Sequence, residues 1–166
     1  MINIEFPNAL QAHIERFDHI AMGVHSVEDS GFIAEVMGGI WKGGGIERDA
    51  GFKYAKWDLP MRGQLEMIEP INPNDANNFL NRFLRRRGEG FHHITFKVFD
   101  LEAATESAVG AGLVVASTNT DHADWRETFF HPSSTHGIVI QFAQWQDGVG
   151  DGTETSLSFE HYLSLQ

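Results

Sequence analysis

Apolar and polar residues alternate along two separated segments of the chain, Phe17–Val24 and Phe91–Val98. A period of two predicts β-strands, whose successive side chains point to opposite faces of a sheet. Helical character follows each segment, beginning near Val27 and near Leu101. Each of these stretches ends at glycines, 38–39 and 110–112, and glycine just past a helix is a stop signal. The pattern therefore predicts a strand followed by a helix, written twice.

The two strands are copies of each other. Position 17 lies over position 91, and the Phe, His, Ile and Val residues of the two segments coincide. Each half closes on a further alternating strand, Gln64–Ile68 in the first and Val139–Ala143 in the second. Hairpin strands are expected near Phe52–Asp58 and Trp125–Phe130. A register kept over strand, helix and closing strand indicates a duplication in which each half reads β-α-β-β-β.

This pattern predicts an α+β fold of two tandem βαβββ modules, about residues 14–72 and 88–146. A helix over about 74–87, ending at Gly88, joins them, so that residues 1–146 form one domain. Residues 147–166 are a C-terminal tail. Within it, 146–155 is rich in Gly and Asp and predicts a flexible connection, and Glu154–Leu165 predicts a short amphipathic helix.

Composition narrows the functional classes. The 166 residues are 42% hydrophobic, enough for a sizeable core, and carry a formal net charge of -11. That charge argues against a nucleic-acid partner, because phosphate binding relies on basic surfaces. The absence of cysteine excludes disulfides and thiolate chemistry. No apolar run approaches the roughly 20 residues of a membrane span, and Met1–Leu10 lacks the pattern of a signal peptide. A cytoplasmic protein without membrane partners is expected.

Strand parity brings candidate ligands together. Ile20, Met22 and Val24 share one face, which should pack under the helices, so His19 points to the other face. By the same parity His93 lies on that other face and its neighbour His92 on the helix-facing side. Glu66 and Gln141 occupy equivalent positions in the two closing strands. A lone strand histidine is usually a surface or core residue, but here two histidines, a carboxylate and an amide are related by one repeat. They predict a site for one divalent ion, Zn, Ni, Co, Mn or Fe.

Several of these stretches resemble the vicinal oxygen chelate superfamily, which includes glyoxalase I, methylmalonyl-CoA epimerase, extradiol dioxygenases and bleomycin-resistance proteins. The similarity is greatest to the epimerase branch and covers nearly all of residues 17–145. The stretches that carry it are Phe17-Asp18-His19-Ile20, Glu66-Met67-Ile68-Glu69-Pro70, Gly88-Glu89-Gly90-Phe91-His92-His93-Ile94, and Phe130-His131-Pro132 through Gly137-Ile138-Val139-Ile140-Gln141. The resemblance implies a cup-shaped mixed sheet around one metal ion that chelates two neighbouring substrate oxygens and stabilises an enolate. It also implies that the second histidine of the pair, His93, is the ligand.

The chain departs from the family pattern at two positions. Gln141 stands where family members commonly carry a glutamate, and an amide is not a general base. The epimerases also use a carboxylate in the first hairpin, where this chain has Lys53-Tyr54-Ala55, with no carboxylate nearer than Asp49 and Asp58. The candidate replacements are Glu127, His131, or Glu66 detaching from the metal.

The expected function is that of a metal-dependent isomerase, epimerase or lyase acting on a small carbonyl or acyl-CoA substrate. A ring-cleaving dioxygenase is one alternative, although it would carry its carboxylate at the position of Gln141. A non-catalytic ligand-binding protein of the bleomycin-resistance kind is the other. A homodimer is also expected, with the tail packed on a sheet edge or on the partner. The tail's apolar residues are Leu157, Phe159, Tyr162, Leu163 and Leu165.

Overall fold

The computed structural model describes residues 10–60, 63–146 and 158–164. Short 3₁₀ turns lie at Val27–Gly31 and Pro132–Ser134. The helices are α1 (Leu10–His13), α2 (Phe32–Met37), α3 (Phe79–Arg87), α4 (Leu101–Gly110) and α5 (Phe159–Ser164). The strands are β1 (Ile14–Gly23), β2 (Ile40–Glu47), β3 (Phe52–Asp58), β4 (Gln64–Pro70), β5 (Gly90–Val98), β6 (Val115–Asn119), β7 (Arg126–Phe130) and β8 (Val139–Gln144).

The described strands form one mixed sheet in the order β2-β3-β4-β1-β5-β8-β7-β6. The predicted modules are therefore present as β1-α2-β2-β3-β4 and β5-α4-β6-β7-β8, which confirms the α+β fold of two βαβββ repeats. In the first module β1 runs parallel to β4, while β2, β3 and β4 are antiparallel neighbours. In the second, β7 is antiparallel to β6 and β8.

Backbone contacts divide the chain into two compact units whose limits fall inside β1 and β5. The histidine unit consists of Asp18–Ile94 and the described residues from Gln146 onward. The glutamine unit consists of the described residues up to Phe17 and of Thr95–Trp145. The limits of the sequence modules and of the single domain stay predictions.

The histidine unit has a core on one face of its strands. The buried members of this core are Val24, Val27, Ile33, Ala55, Trp57, Leu65, Met67 and Tyr162, and Met22 packs against them. The face that Met22 and Val24 share thus packs under α2, as strand parity predicted, whereas Ile20 of the same face is 36% exposed. α2 ends at Gly38, which takes the left-handed conformation (φ 67°), the helix stop expected from the sequence.

The opposite face of the same strands is covered by α3. Leu80 and Leu84 of this helix are buried against Ala21 and Ile68. A Cβ on Gly23 would lie 2.9 Å from the Phe83 ring, so the helix approaches β1 closely there. The predicted helix over 74–87 begins later, because the side chain of Asn78 caps it by accepting from the backbone N–H groups of residues 80 and 81.

The described part of the C-terminal tail, residues 158–164, packs against its own chain. α5 contacts β2, the terminal strand of the sheet order, and its Tyr162 is buried in the core of the histidine unit. The Tyr162 hydroxyl donates to the Tyr54 carbonyl at 2.8 Å. A Cβ on Gly44 would lie 2.9 Å from the Tyr162 ring and 2.6 Å from that same carbonyl oxygen, so only glycine fits there. The predicted connection over 147–155, residues 154–157 of the predicted helix and Leu165 lie outside the described residues.

The glutamine unit has its own core, in which Leu101, Ala104 and Ala108 of α4 pack against Phe130 and Phe142. The Asp100 side chain caps α4. Among the described helices of either unit, none has the length and hydropathy to cross a membrane.

Candidate metal centre

Three of the predicted ligands meet in the histidine unit. His19, Glu66 and His93 each offer one ligand atom, and these atoms lie within 4.8 Å of one another. All three side chains are buried, with 2%, 7% and 6% of their surface exposed. A cluster of two imidazoles and a carboxylate away from water is chemically suited to a divalent transition metal.

The strands position these side chains. In the parallel pair β1–β4, Ala21 lies beside Glu66, and since alternate residues share a face, Glu66 joins His19 on one surface. The Nε2 atom of His19 is 3.3 Å from Oε2 of Glu66. The imidazole rings of His19 and His93 stand edge to face, with centroids 5.5 Å apart.

The other nitrogen of each imidazole contacts a neighbour in the chain. Nδ1 of His19 is 2.9 Å from Oδ2 of Asp18, and Nδ1 of His93 is 2.8 Å from Nδ1 of His92. A carboxylate on Nδ1 fixes the tautomer of a metal-binding histidine and raises its basicity. Both histidines would therefore bind a metal through Nε2.

His92 belongs to a different environment from His93. Its ring packs against Phe79 and Phe83 of α3, with centroid distances of 5.5 and 4.9 Å. Burial lowers the pKa of His92 to about 4; the charge of Glu66 opposes this shift and the charge of Arg87 adds to it. His92 therefore packs against α3, the helix that joins the two modules, and is not a member of the His19–Glu66–His93 cluster.

Lys56 is a component that the sequence analysis missed. It lies directly opposite Glu66 in the β3–β4 register, is 7% exposed, and holds its Nζ 3.5 Å from Oε1 of Glu66. The sequence predicted both strands, but the register that pairs these two positions depends on the folded hairpin. Lys53, the other lysine of this hairpin strand, pairs with Glu69 at 2.9 Å.

The charges of the cluster follow from its neighbours. Burial alone would raise the pKa of Glu66, but Lys56 and His19 lower it by more, so it falls well below the usual range. Burial opposes the charges of Lys56 and His19, yet the Glu66 carboxylate raises the pKa of both above the ordinary value. Burial, with the charges of His19 and His92, lowers the pKa of His93. Glu66 is thus held as the ionised carboxylate and His93 as the neutral imidazole, the forms that bind a metal, whereas His19 would release its proton when an ion binds.

The fourth predicted ligand, Gln141, lies in the glutamine unit. It is 4% exposed and its amide is hydrogen bonded at both ends: Nε2 donates to Oε2 of Glu127 at 2.6 Å, and Oε1 accepts from the Thr95 hydroxyl. The same Glu127 oxygen accepts from Nε1 of Trp125 at 2.7 Å. The role of Gln141 as a ligand and that of Glu127 as an acid-base group stay predictions. His131, another candidate, is exposed and caps the Pro132–Ser134 turn.

Comparison with known proteins places this geometry in a family. A sequence model of the Glyoxalase/Bleomycin resistance protein/Dioxygenase superfamily matches residues 18–129. Among curated proteins, no sequence matches the chain.

Several solved structures share the fold. A hypothetical protein from Bacillus halodurans is similar with a TM-score of 0.71 and 23% identity, over 81% of this chain and 96% of that one. Methylmalonyl-CoA epimerase from Mycobacterium tuberculosis gives 0.69 and 22%, over 80% and 89%. A variant of the Streptomyces coelicolor methylmalonyl-CoA epimerase, in complex with 2-nitronate-propionyl-CoA, gives 0.66 and 24%, over 80% and 98%. With its paired βαβββ repeats and a match over more than half of its length, the chain belongs to the Glyoxalase/Bleomycin resistance protein/Dioxygenase superfamily.

Proposed function

We propose that this protein is a metal-dependent isomerase of the epimerase kind, acting on a small carbonyl or acyl-CoA substrate through an enolate-type intermediate. The observation that carries the proposal is the buried cluster of His19, Glu66 and His93 within the family fold. The fold shared with methylmalonyl-CoA epimerases supports the choice of reaction. A lyase reaction of the glyoxalase kind would use the same residues.

His19, Glu66 and His93 would hold the ion, and Gln141 is proposed as a weaker fourth ligand. A bound divalent ion supplies Lewis-acid polarisation of a substrate carbonyl and stabilises negative charge on its oxygen. The protein's own contribution is orientation and exclusion of water. Asp18 orients His19, the pairing with Lys56 holds one oxygen of Glu66, and burial strengthens each charge interaction.

Proton transfer needs a base, and Glu127 and Glu66 are the two proposed carboxylates. If Glu127 is the base, Glu127→Gln should retain the metal and lose activity. If Glu66 is only a ligand, Glu66→Gln should lose metal and activity together. Metal analysis and activity of both variants separate these roles. Full activity of Glu127→Gln would exclude it as the base.

The test of the function begins with elemental analysis of purified protein. Protein loaded with each candidate metal is then incubated with methylmalonyl-CoA, other acyl-CoA thioesters and α-ketoaldehydes in deuterated water. Exchange of the substrate's α-proton, followed by NMR, reports enolisation even where the product is unknown. The double variant His19→Ala, His93→Ala is the control and should lose both metal and exchange. Wild-type metal content in that variant would show that the site is wrong.

A second reaction is favoured by one specific observation. Two histidines and one carboxylate are also the ligand set of Fe(II) enzymes that activate oxygen, including ring-cleaving dioxygenases. Protein loaded anaerobically with Fe(II) and mixed with catechols should then consume oxygen. If the protein consumed oxygen but did not exchange the substrate's α-proton, its function would be that of a dioxygenase and not that of an isomerase. Tight substrate binding without either reaction would support a ligand-binding protein.

We also propose that the chain forms a homodimer. Exposed apolar side chains on α2 and the edge strand β2, such as Val36 and Ile40, offer apolar surface for a partner. The tail supports this less than its composition predicted, because Tyr162 is buried within its own chain. Light scattering on the full chain and on a chain truncated after Gln146 tests both points. A monomeric full chain excludes the dimer, and a dimer unchanged by truncation excludes a role for the tail in assembly.

A further inference from the structure

A buried hydrogen-bond donor in the described part of the glutamine unit lacks an acceptor. It is Nε1 of Trp145, a residue that is 6% exposed. Buried polar side-chain atoms are nearly always hydrogen bonded, because an unsatisfied donor loses its bond to water and gains nothing in return. Trp125 stacks on Trp145 with ring centroids 4.7 Å apart, but it donates its own Nε1 to Glu127. An acceptor is therefore missing at Trp145 and not at Trp125.

Two cationic side chains lie over the indole ring of Trp145. Nζ of Lys97 is 5.0 Å from the ring centroid, and the guanidinium carbon of Arg16 is 5.4 Å from it. Both cations contact Glu15, whose Oε2 is 3.2 Å from Nζ of Lys97 and whose Oε1 is 2.7 Å from Nη1 of Arg16. Glu15 does not accept from the indole. The local carboxylate therefore holds the two cations without supplying the acceptor that Trp145 lacks.

The spacing and the chemistry of these donors suit one small ligand. An N–H···O bond is about 2.9 Å long, so two donors that share an oxygen stand up to about 5.8 Å apart. Nitrogen donors beside positive charge favour an oxyanion, because charged oxygens form shorter and stronger hydrogen bonds than neutral ones. The side chain of Arg16 is 41% exposed, so this flexible group can rearrange around a ligand without disturbing a strand.

We infer that Arg16, Lys97 and Trp145 form a binding site for an oxyanion, the carboxylate or phosphate group of a small molecule. Nε1 of Trp145 donates to one oxygen of this group, and the two cations attract its charge. All three residues belong to the glutamine unit. Neither a metal ion nor the proposed reaction enters the inference.

The experiment follows the indole N–H signals of the full chain by proton–nitrogen correlation NMR. The chain has four tryptophans, and Trp145→Phe identifies the signal of residue 145 by its loss while an aromatic ring is kept. Sodium acetate and inorganic phosphate are the probes, acetamide is the neutral counterpart of acetate, and sodium chloride holds the ionic strength constant. Acetate or phosphate should move the Trp145 signal downfield to saturation, because the indole N–H gains an acceptor. Acetamide should bind at least about tenfold more weakly than acetate.

A second comparison tests the contribution of the cations. Arg16→Gln should weaken binding of the oxyanion by roughly 10- to 100-fold, because it removes a charge-assisted hydrogen bond. Arg126→Gln is the matched control, since it removes the same charge from the same unit, where Arg126 pairs with Glu102. Its affinity should stay within about twofold of wild type, because a distant charge is screened by salt. Circular dichroism of each variant establishes that it is folded.

The outcomes decide both the existence of the site and its ligand. A Trp145 signal that neither probe moves overturns the inference, as do equal affinities for acetate and acetamide or equal losses in the two arginine variants. Saturation by acetate alone assigns a carboxylate, and saturation by phosphate alone assigns a phosphate group. The measurement needs neither metal content nor α-proton exchange, so failure of this site and failure of the proposed function are distinguishable.

Discussion

Asp18 should control the metal affinity of His19. Its Oδ2 atom lies 2.9 Å from Nδ1 of His19, and its side chain is 10% exposed, so water screens the contact little. The ionised carboxylate favours the proton on Nδ1 and leaves the lone pair on Nε2, the nitrogen that lies toward Glu66. Asp18→Asn keeps an oxygen acceptor but removes the charge. Asp18→Ala removes both.

The expected loss follows from that difference. Removing the partner of a metal-binding histidine weakens metal affinity by about 10- to 100-fold, or roughly 1.4 to 2.7 kcal/mol. Asp18→Asn should lie near the lower limit, because the tautomer is still favoured by the amide oxygen. Asp18→Ala should lie near the upper limit.

Competition titration of Zn against a coloured chelator measures these affinities in wild type and both variants. Asp29→Asn is the matched control, because it removes the same charge from an exposed position of the histidine unit. The Zn affinity of this control variant should stay within about twofold of wild type, because exposed charges are screened by salt. Equal affinities in wild type and Asp18→Ala would refute the role of Asp18. Equal losses in Asp29→Asn and Asp18→Asn would attribute the effect to net charge.

Three further predictions concern the packing of the C-terminal tail, the stability of the protein at acid pH, and the base that proton transfer requires. Tyr162→Ala should lower the free energy of unfolding in urea by about 4 kcal/mol, because it removes a buried ring and its hydrogen bond. His161→Ala, at an exposed position of the same helix, should stay within about 0.5 kcal/mol of wild type. Equal losses of stability in the two variants would contradict the packing of α5. Because the folded pKa of His92 is lowered to about 4, the unfolded chain binds more protons between that pH and about 6.5. Stability of the metal-free protein should therefore be lost as the pH falls through this window, by at most about 3 kcal/mol, and a pH profile unchanged in His92→Gln would contradict it. If an absent base limits the reaction, Gln141→Glu should raise α-proton exchange by roughly 100-fold, whereas unchanged or lower exchange would place the native base elsewhere.

The sequence by itself determined the repeat, the order of the elements and three members of the candidate site. Strand alternation and glycine helix stops are local properties of the chain, and they persist in the folded protein. Parity along β1 and β5 separated His19 and His93 from His92, because the direction of a strand side chain depends only on its position in the strand. The repeat then related Glu66 to Gln141 without any knowledge of their contacts.

Only the tertiary structure decided which surfaces meet. Lys56 reaches Glu66 through the register between two strands, which depends on the whole hairpin and the core beneath it. The packing of α3 over Ala21, and of Tyr162 over Gly44, likewise joins residues far apart in the chain. Composition showed that these apolar side chains must be buried. The hydrophobic effect is non-directional, however, and does not specify which residues they pack against. Backbone geometry could therefore be anticipated residue by residue, whereas the neighbours that set the charge of the site could not.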